Sequence, residues 1–109
     1  MTKELTFKKG EVVYVSHPYG GKKSNKGDAG RILKELYAKY PGVVFISPLH
    51  SIALAYDAVP YDDGMFLCLR LLSVCTTILL TGNWTESHGC RLETMTAISW
   101  GLGLKELKQ

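Results

Sequence analysis

Hydrophobic and polar positions along this chain follow two rhythms, and the switches between them mark out its elements. Glu11–Ser16 (EVVYVS) is a short β-branched and aromatic run closed by His17-Pro18-Tyr19-Gly20-Gly21, the pattern of a buried strand ending in a turn. From about Asp28 to Tyr40, Ile32, Leu33, Leu36, Tyr37 and Tyr40 recur at helical spacing, and Pro41-Gly42 supplies the stop. Val43–Ile46 is a second apolar run, closed by Ser47-Pro48. Strand, helix and strand in that order predict a right-handed crossover between parallel strands.

The same reading predicts a short helix over Ser51–Tyr56 and a longer one over Asp62–Cys75. In the longer one, Met65, Leu69 and Leu72 and also Cys68, Leu71 and Cys75 give broad apolar faces. A third strand starts at Thr76 or Thr77 and runs to Leu80 or Thr81. A last helix opens near Ser87 and continues to about Trp100, before Gly101-Leu102-Gly103 breaks it. The few residues beyond that break suffice for a stub strand. The expected class is α/β: a small, doubly wound parallel sheet of three clear strands, with helices on both faces and edges that need a partner to cover them.

Length and composition narrow this further. A chain of 109 residues holds one core, so residues 11–104 are expected to form a single domain, with 1–10 as an N-terminal extension and 105–109 as a charged tail. Hydrophobic content of 46% with 21% charged residues excludes a disordered chain. A net charge of +3 is mild, and the one dense basic cluster, Lys22, Lys23 and Lys26, reads as a solvated loop, so no nucleic-acid polymer is expected as a partner. Three cysteines at scattered spacings, Cys68, Cys75 and Cys90, suit reduced thiols better than a disulfide framework. MTKELTFKKGE lacks the apolar segment of a signal peptide, and no apolar stretch is long enough for a bilayer. A cytoplasmic protein is expected.

The chemistry concentrates in two loops, Ser16–Gly21 and Gly82–Ser87, which come after strands expected to be neighbours and should therefore meet. Gly20-Gly21 allows backbone to approach a ligand, or is an ordinary turn. Gly21-Lys22-Lys23-Ser24 lacks the glycine and hydroxyl spacing of a P-loop, which rejects a nucleoside triphosphatase. Ser87 stands where a helix cap belongs. Its hydroxyl and the amides of His88, Gly89 and Cys90 suit an anion at the positive end of the helix, although capping alone also accounts for it. Glu93 shares a helical stripe with Gly89, Ala97 and Trp100, which points it towards a pocket; the alternative is an exposed surface carboxylate paired with Arg91 or a neighbour. Trp84, Tyr19 and Tyr14 offer flat surfaces for a base or sugar, or else belong to the core. His17, His50 and His88 with Cys90 match no zinc spacing, and Cys68 and Cys75 read as core fillers, so no metal site and no Cys-His nucleophile are expected.

VYVSHPYGG (Val13–Gly21), the Ser47-Pro48 strand end, the CxxILLTGNWxxSxGCxxE run over Cys75–Glu93 and the Ala97…Gly101 helix end together resemble the nucleoside 2-deoxyribosyltransferase-like family, in particular its small phage and bacterial branch. The most specific part is Ser87-x-Gly89-x-x-x-Glu93. The resemblance implies a flavodoxin/Rossmann-like three-layer sandwich, dimeric or larger, that cleaves or exchanges the N-glycosidic bond of a nucleoside or nucleoside 5′-monophosphate without cofactor or metal. It implies Glu93 as the nucleophile at C1′ and Ser87 with Gly89 as the 5′-phosphate or sugar-hydroxyl site. The turn after the first strand, with Ser16, His17, Tyr19, Gly20 and Gly21, is the implied base and sugar side, and Asn83 and Trp84 are further candidate substrate contacts.

Two departures accompany the resemblance. Where the family carries an orienting aspartate in the preceding helix this chain has Cys68, leaving Asp62 or Asp63 as the candidate acid or orienting group. Cys75-Thr76 replaces the usual Cys-Asp, and the chain is expected to end before the strand and tail through which relatives lend an Asn or Ser to a neighbouring site. The rival expectation is therefore a non-catalytic binder that sequesters a nucleotide or ADP-ribose-like ligand, or an α/β module whose loops are only turns.

Overall fold

The computed structural model describes residues 5–18, 23–52 and 58–107. Four strands, β1 (Val12–Ser16), β2 (Val44–Ile46), β3 (Thr77–Leu80) and β4 (Gly103–Glu106), form one parallel sheet in the order β2-β1-β3-β4. Between them lie α1 (Lys23–Lys39), α2 (Pro48–Ser51), α3 (Tyr61–Leu72), a 3₁₀ turn at Trp84–Glu86 and α4 (His88–Ser99). This is the Rossmann-like α/β sandwich.

The two central strands are buried on both faces, as parallel strands under crossover helices must be. Their period of two divides the core. Val13, Val15, Phe45 and Leu79 point to the side covered by Ile32 and Leu36 of α1, while Tyr14, Ile78 and Leu80 meet Leu72 and Cys75 from α3 and its exit and Ala97 of α4. Side-chain alternation thus sends Tyr14, and Ser16 two residues on, towards α4. That geometric fact positions the site.

The sequence reading and the structure differ mainly at the ends of elements. Helix α1 starts at Lys23 rather than Asp28, because its first turns lie outside the sheet contact and show no apolar period before Ala29 and Ile32. Helix α2 starts at Pro48, a favoured first-turn residue; most of the helix expected over Ser51–Tyr56 lies outside the described residues. Helix α3 ends at Leu72, three residues before Cys75.

The expected stub after Gly103 is a full strand. β4 pairs with β3 from Thr77↔Gly103 to Leu80↔Glu106, so Lys105 and Glu106, read as tail, are sheet residues. As a largely exposed edge strand it has no apolar signature, and its charges suit an edge. The first residues are also more than an extension, since Leu5 and Phe7 pack on the α1-side core, Phe7 edge-on to Tyr40 and Phe45.

Candidate functional site

The strand order reverses between β1 and β3, and a crevice opens there beyond their carboxyl ends, as open α/β sheets provide. Its volume is about 890 Å³, within the range of small-molecule sites. His17 and Pro18 after β1, Asn83 and Ser87 after β3, and Tyr61 and Met65 from α3 are among its walls, and Glu93 of α4 lines its interior.

Glu93 is 5% exposed, which removes the surface pairing with Arg91. The Tyr14 hydroxyl donates to Oε2, and the Ser16 hydroxyl donates to Oε1 at 2.9 Å. Burial pushes the Glu93 carboxyl up to about 7, and the two hydroxyl donors pull against that rise without cancelling it. A carboxylate in this position loses its proton near neutrality, inside a cleft, with two donors fixing its orientation. Nucleophiles and general bases need that combination.

Ser87 caps α4, accepting from the Cys90 amide at 3.2 Å. The cleft therefore meets the positive end of the helix dipole. A Cβ at Gly89 would meet Met65 Sδ at 3.5 Å and Tyr61 Oη at 3.8 Å, ordinary contacts, so packing does not demand glycine there. Its effect is to keep the α4 entrance open.

On the other side, the Thr81 hydroxyl donates to the Ser16 carbonyl at 3.0 Å, so its oxygen accepts from His17 Nδ1 at 2.8 Å. Neutral His17 consequently carries its proton on Nδ1, leaving Nε2 as an acceptor. Burial lowers its pKa, with Asp28 opposing and Arg31 reinforcing. Gly82, at φ +62°, holds this corner: a Cβ there would stand 2.8 Å from His17 Cε1 and 3.3 Å from Pro18 Cδ. Gly82→Ala combines a left-handed backbone with that clash, and thermal unfolding should show a loss of about 1–3 kcal/mol. An unchanged midpoint would mean that the corner yields freely.

Of the residues singled out from sequence, Ser16, His17, Ser87, Gly89 and Glu93 come together here, with Asn83 on the rim. Tyr19, Gly20 and Gly21 lie outside the described residues. Trp84 is not among the lining residues; its indole N–H donates to Glu106 Oε2 at 2.7 Å and its ring packs on the core. Asp62 and Asp63 are exposed in the first turn of α3. The stripe that α3 turns to the cleft is Tyr61, Gly64, Met65 and Cys68, and the helical repeat sends the two aspartates elsewhere.

Tyr14 is entirely buried; its ring is core and its hydroxyl is part of the site, a double role that the apolar strand pattern conceals. Asn25 and Asp28 of α1 and Glu86 of the 3₁₀ turn also line the cleft, and no motif singles them out. Cys68, Cys75 and Cys90 are buried and in no disulfide, and burial raises the Cys75 thiol to about 11 and the Cys90 thiol as well. Among the described residues no group of His, Cys, Asp and Glu is arranged to hold a metal, and no helix is long and apolar enough to cross a membrane.

A family profile described as "Domain of unknown function (DUF4406)" matches residues 11–106, which run from the residue before β1 to the last residue of β4. No curated protein matches the chain significantly.

Proposed function

The chain belongs to the DUF4406 family, and we propose that its cleft hydrolyses or exchanges the N-glycosidic bond of a nucleoside or nucleoside 5′-monophosphate, with Glu93 as nucleophile. One observation carries this reading: a buried carboxylate, oriented by Tyr14 and Ser16, faces the same cleft as the amino end of α4. The resemblance of Ser87-x-Gly89-x-x-x-Glu93 to nucleoside 2-deoxyribosyltransferase-like proteins agrees with it.

In this mechanism ionised Glu93 bonds to C1′ through an oxocarbenium-like transition state, while the base leaves with the electrons of the glycosidic bond. Water then attacks C1′ of the glycosyl ester and releases the carboxylate. Summed over both halves, the hydroxyl of one water goes to the sugar and its proton to the base. A second base in place of water gives exchange. Ser87 and the first amides of α4 take the 5′-phosphate or a sugar hydroxyl, as the helix dipole favours.

The second reading, a binder without turnover, also has a specific observation behind it. Cys68 lines the cleft at the position where the resemblance leads one to expect an aspartate, and Asp62 and Asp63 do not line it. A cytoplasmic homodimer or higher homo-oligomer belongs to the proposal as well: α4 turns Met95 and Ile98 outward, opposite its buried Cys90, Glu93 and Ala97, and Phe66 and Trp100 are exposed too. A helix apolar on both sides fits a covered surface.

The test is release of free base from a panel of nucleosides and 5′-monophosphates. Wild type should release base, and Ser87→Ala should raise KM for monophosphates roughly tenfold or less while leaving nucleosides nearly unaffected. Ligand-dependent thermal stabilisation without release would replace the enzyme by the binder; neither response would remove both.

A further inference from the structure

Resting on that reading, we propose that Asn25 and Asp28 of α1, above Pro48 and Leu49 of α2, form the base-reading end of the cleft and select a base bearing an exocyclic amino group, such as a 6-aminopurine or 4-aminopyrimidine. The direction of the ligand is set by the order of strands. The anion end lies at α4, which comes after β3; Tyr14 and Ser16, which hold Glu93, lie on β1; α2 comes after β2 on the far side. Three neighbouring strands span about 10 Å at the usual spacing, a reach that suits phosphate, sugar and base laid along the sheet edge in that order. The base then arrives over the ends of β1 and β2.

The residues lining the cleft at that end have the right division of labour. Pro48 and Leu49 are buried yet face the cleft, giving apolar surface for the face of a ring. Asn25 and Asp28 stand one turn apart on the same side of α1 and line the cleft as well. Arg31 lies 3.7 Å from Asp28 Oδ1, with both side chains about half exposed, a surface pair too weak to commit the carboxylate. His17 lies close enough to feel the Asp28 charge, which ties that carboxylate to the β1 corner.

Chemistry then fixes the class of base. An ionised carboxylate only accepts hydrogen bonds, so it welcomes an amino group and repels the carbonyl oxygen of the corresponding keto base. The Asn25 amide, with both a donor and an acceptor, complements the ring nitrogen beside that amino group, as side-chain amides and carboxylates do when they read adenine and cytosine edges.

The experiment compares matched pairs that differ at that substituent, dAMP with dIMP and dCMP with dUMP, by calorimetric titration of the full chain carrying Glu93→Gln, so that turnover does not consume the ligand. For at least one pair the amino member should bind about tenfold tighter. Asp28→Asn and Asp28→Ala should each bring that pair within about threefold, with unchanged melting temperature. Equal binding within both pairs, or a preference that survives both substitutions, overturns the base-reading role, as does failure of all four to bind. Base release by the chain with native Glu93, followed on the same four compounds, is scored separately. Release without an amino preference sinks only this inference; an amino preference that depends on Asp28, without release, sinks only the cleavage reading.

Discussion

Glu93→Gln is expected to lower base release by on the order of a thousandfold or more, and at the same time to make the protein harder to unfold at pH 8. The first effect comes from chemistry, since an amide of the same shape cannot form the glycosyl ester. The second comes from burial. The Glu93 carboxyl titrates near 4.5 when unfolded and near 7 when folded, so between those values the folded state holds a proton that the unfolded state has released. Its contribution is complete below about pH 4.5, declines as pH rises, and is gone above about 7. At about 1.36 kcal/mol per pKa unit the loss is about 3 kcal/mol. Glutamine has no such dependence, and Ser16 can turn its hydroxyl to accept from the new amide. The measurement is the difference in unfolding free energy between wild type and variant from pH 4.5 to 8, which cancels titrations common to both. A difference that stays flat across that range contradicts a buried, near-neutral carboxyl; undiminished base release from the variant removes Glu93 as nucleophile.

The conflict between charge and burial explains why Glu93 is legible in the sequence as a candidate, while the Tyr14 hydroxyl, Asn25 and Asp28 are not. Glu93 stands out because a charged residue sits on a stripe with Gly89 and Ala97, which conflicts with a helix packed on a sheet. Ser87 stands out because hydroxyl residues before helices have a known purpose. Such conflicts and caps are local, and they survive in a one-dimensional pattern.

Tyr14, Asn25 and Asp28 leave no such trace. Tyr14 looks like any aromatic of a buried strand, and its hydroxyl gains meaning only when α4 is laid across β1, 79 residues later in the chain. Asn25 and Asp28 sit in the polar opening turns of α1, a region with so little apolar period that the helix start itself is expected five residues late. Asp62 and Asp63 illustrate the reverse failure: the right chemical type close to the right place, but on helical positions that turn away from the cleft. β4 is expected only as a stub for another reason. Its four residues are held by backbone pairing rather than by burial of side chains, and hydropathy registers only the latter.

Tyr14→Phe separates positioning from packing at the site. Phenylalanine keeps the ring in the core among Leu72, Ile78 and Ala97 and deletes the hydroxyl that donates to Glu93 Oε2. That donor favours the ionised carboxylate, so its loss raises the Glu93 pKa above about 7, leaving the Ser16 hydroxyl as the named donor. A hydrogen bond to a charged group contributes about 1.5–3 kcal/mol, which corresponds to a rise of roughly one to two pKa units. The acid limb of the rate profile should therefore move from about pH 7 to about 8 or 9. At pH 6.5 base release should fall roughly tenfold or more, and the deficit should narrow steadily as pH approaches the new limb. Stability should track the same shift, continuing to decline above pH 7 where the wild-type curve has levelled. A purely structural role for Tyr14 predicts something else, a loss of rate by one constant factor at every pH with the limb unmoved, and that result would detach the hydroxyl from control of Glu93.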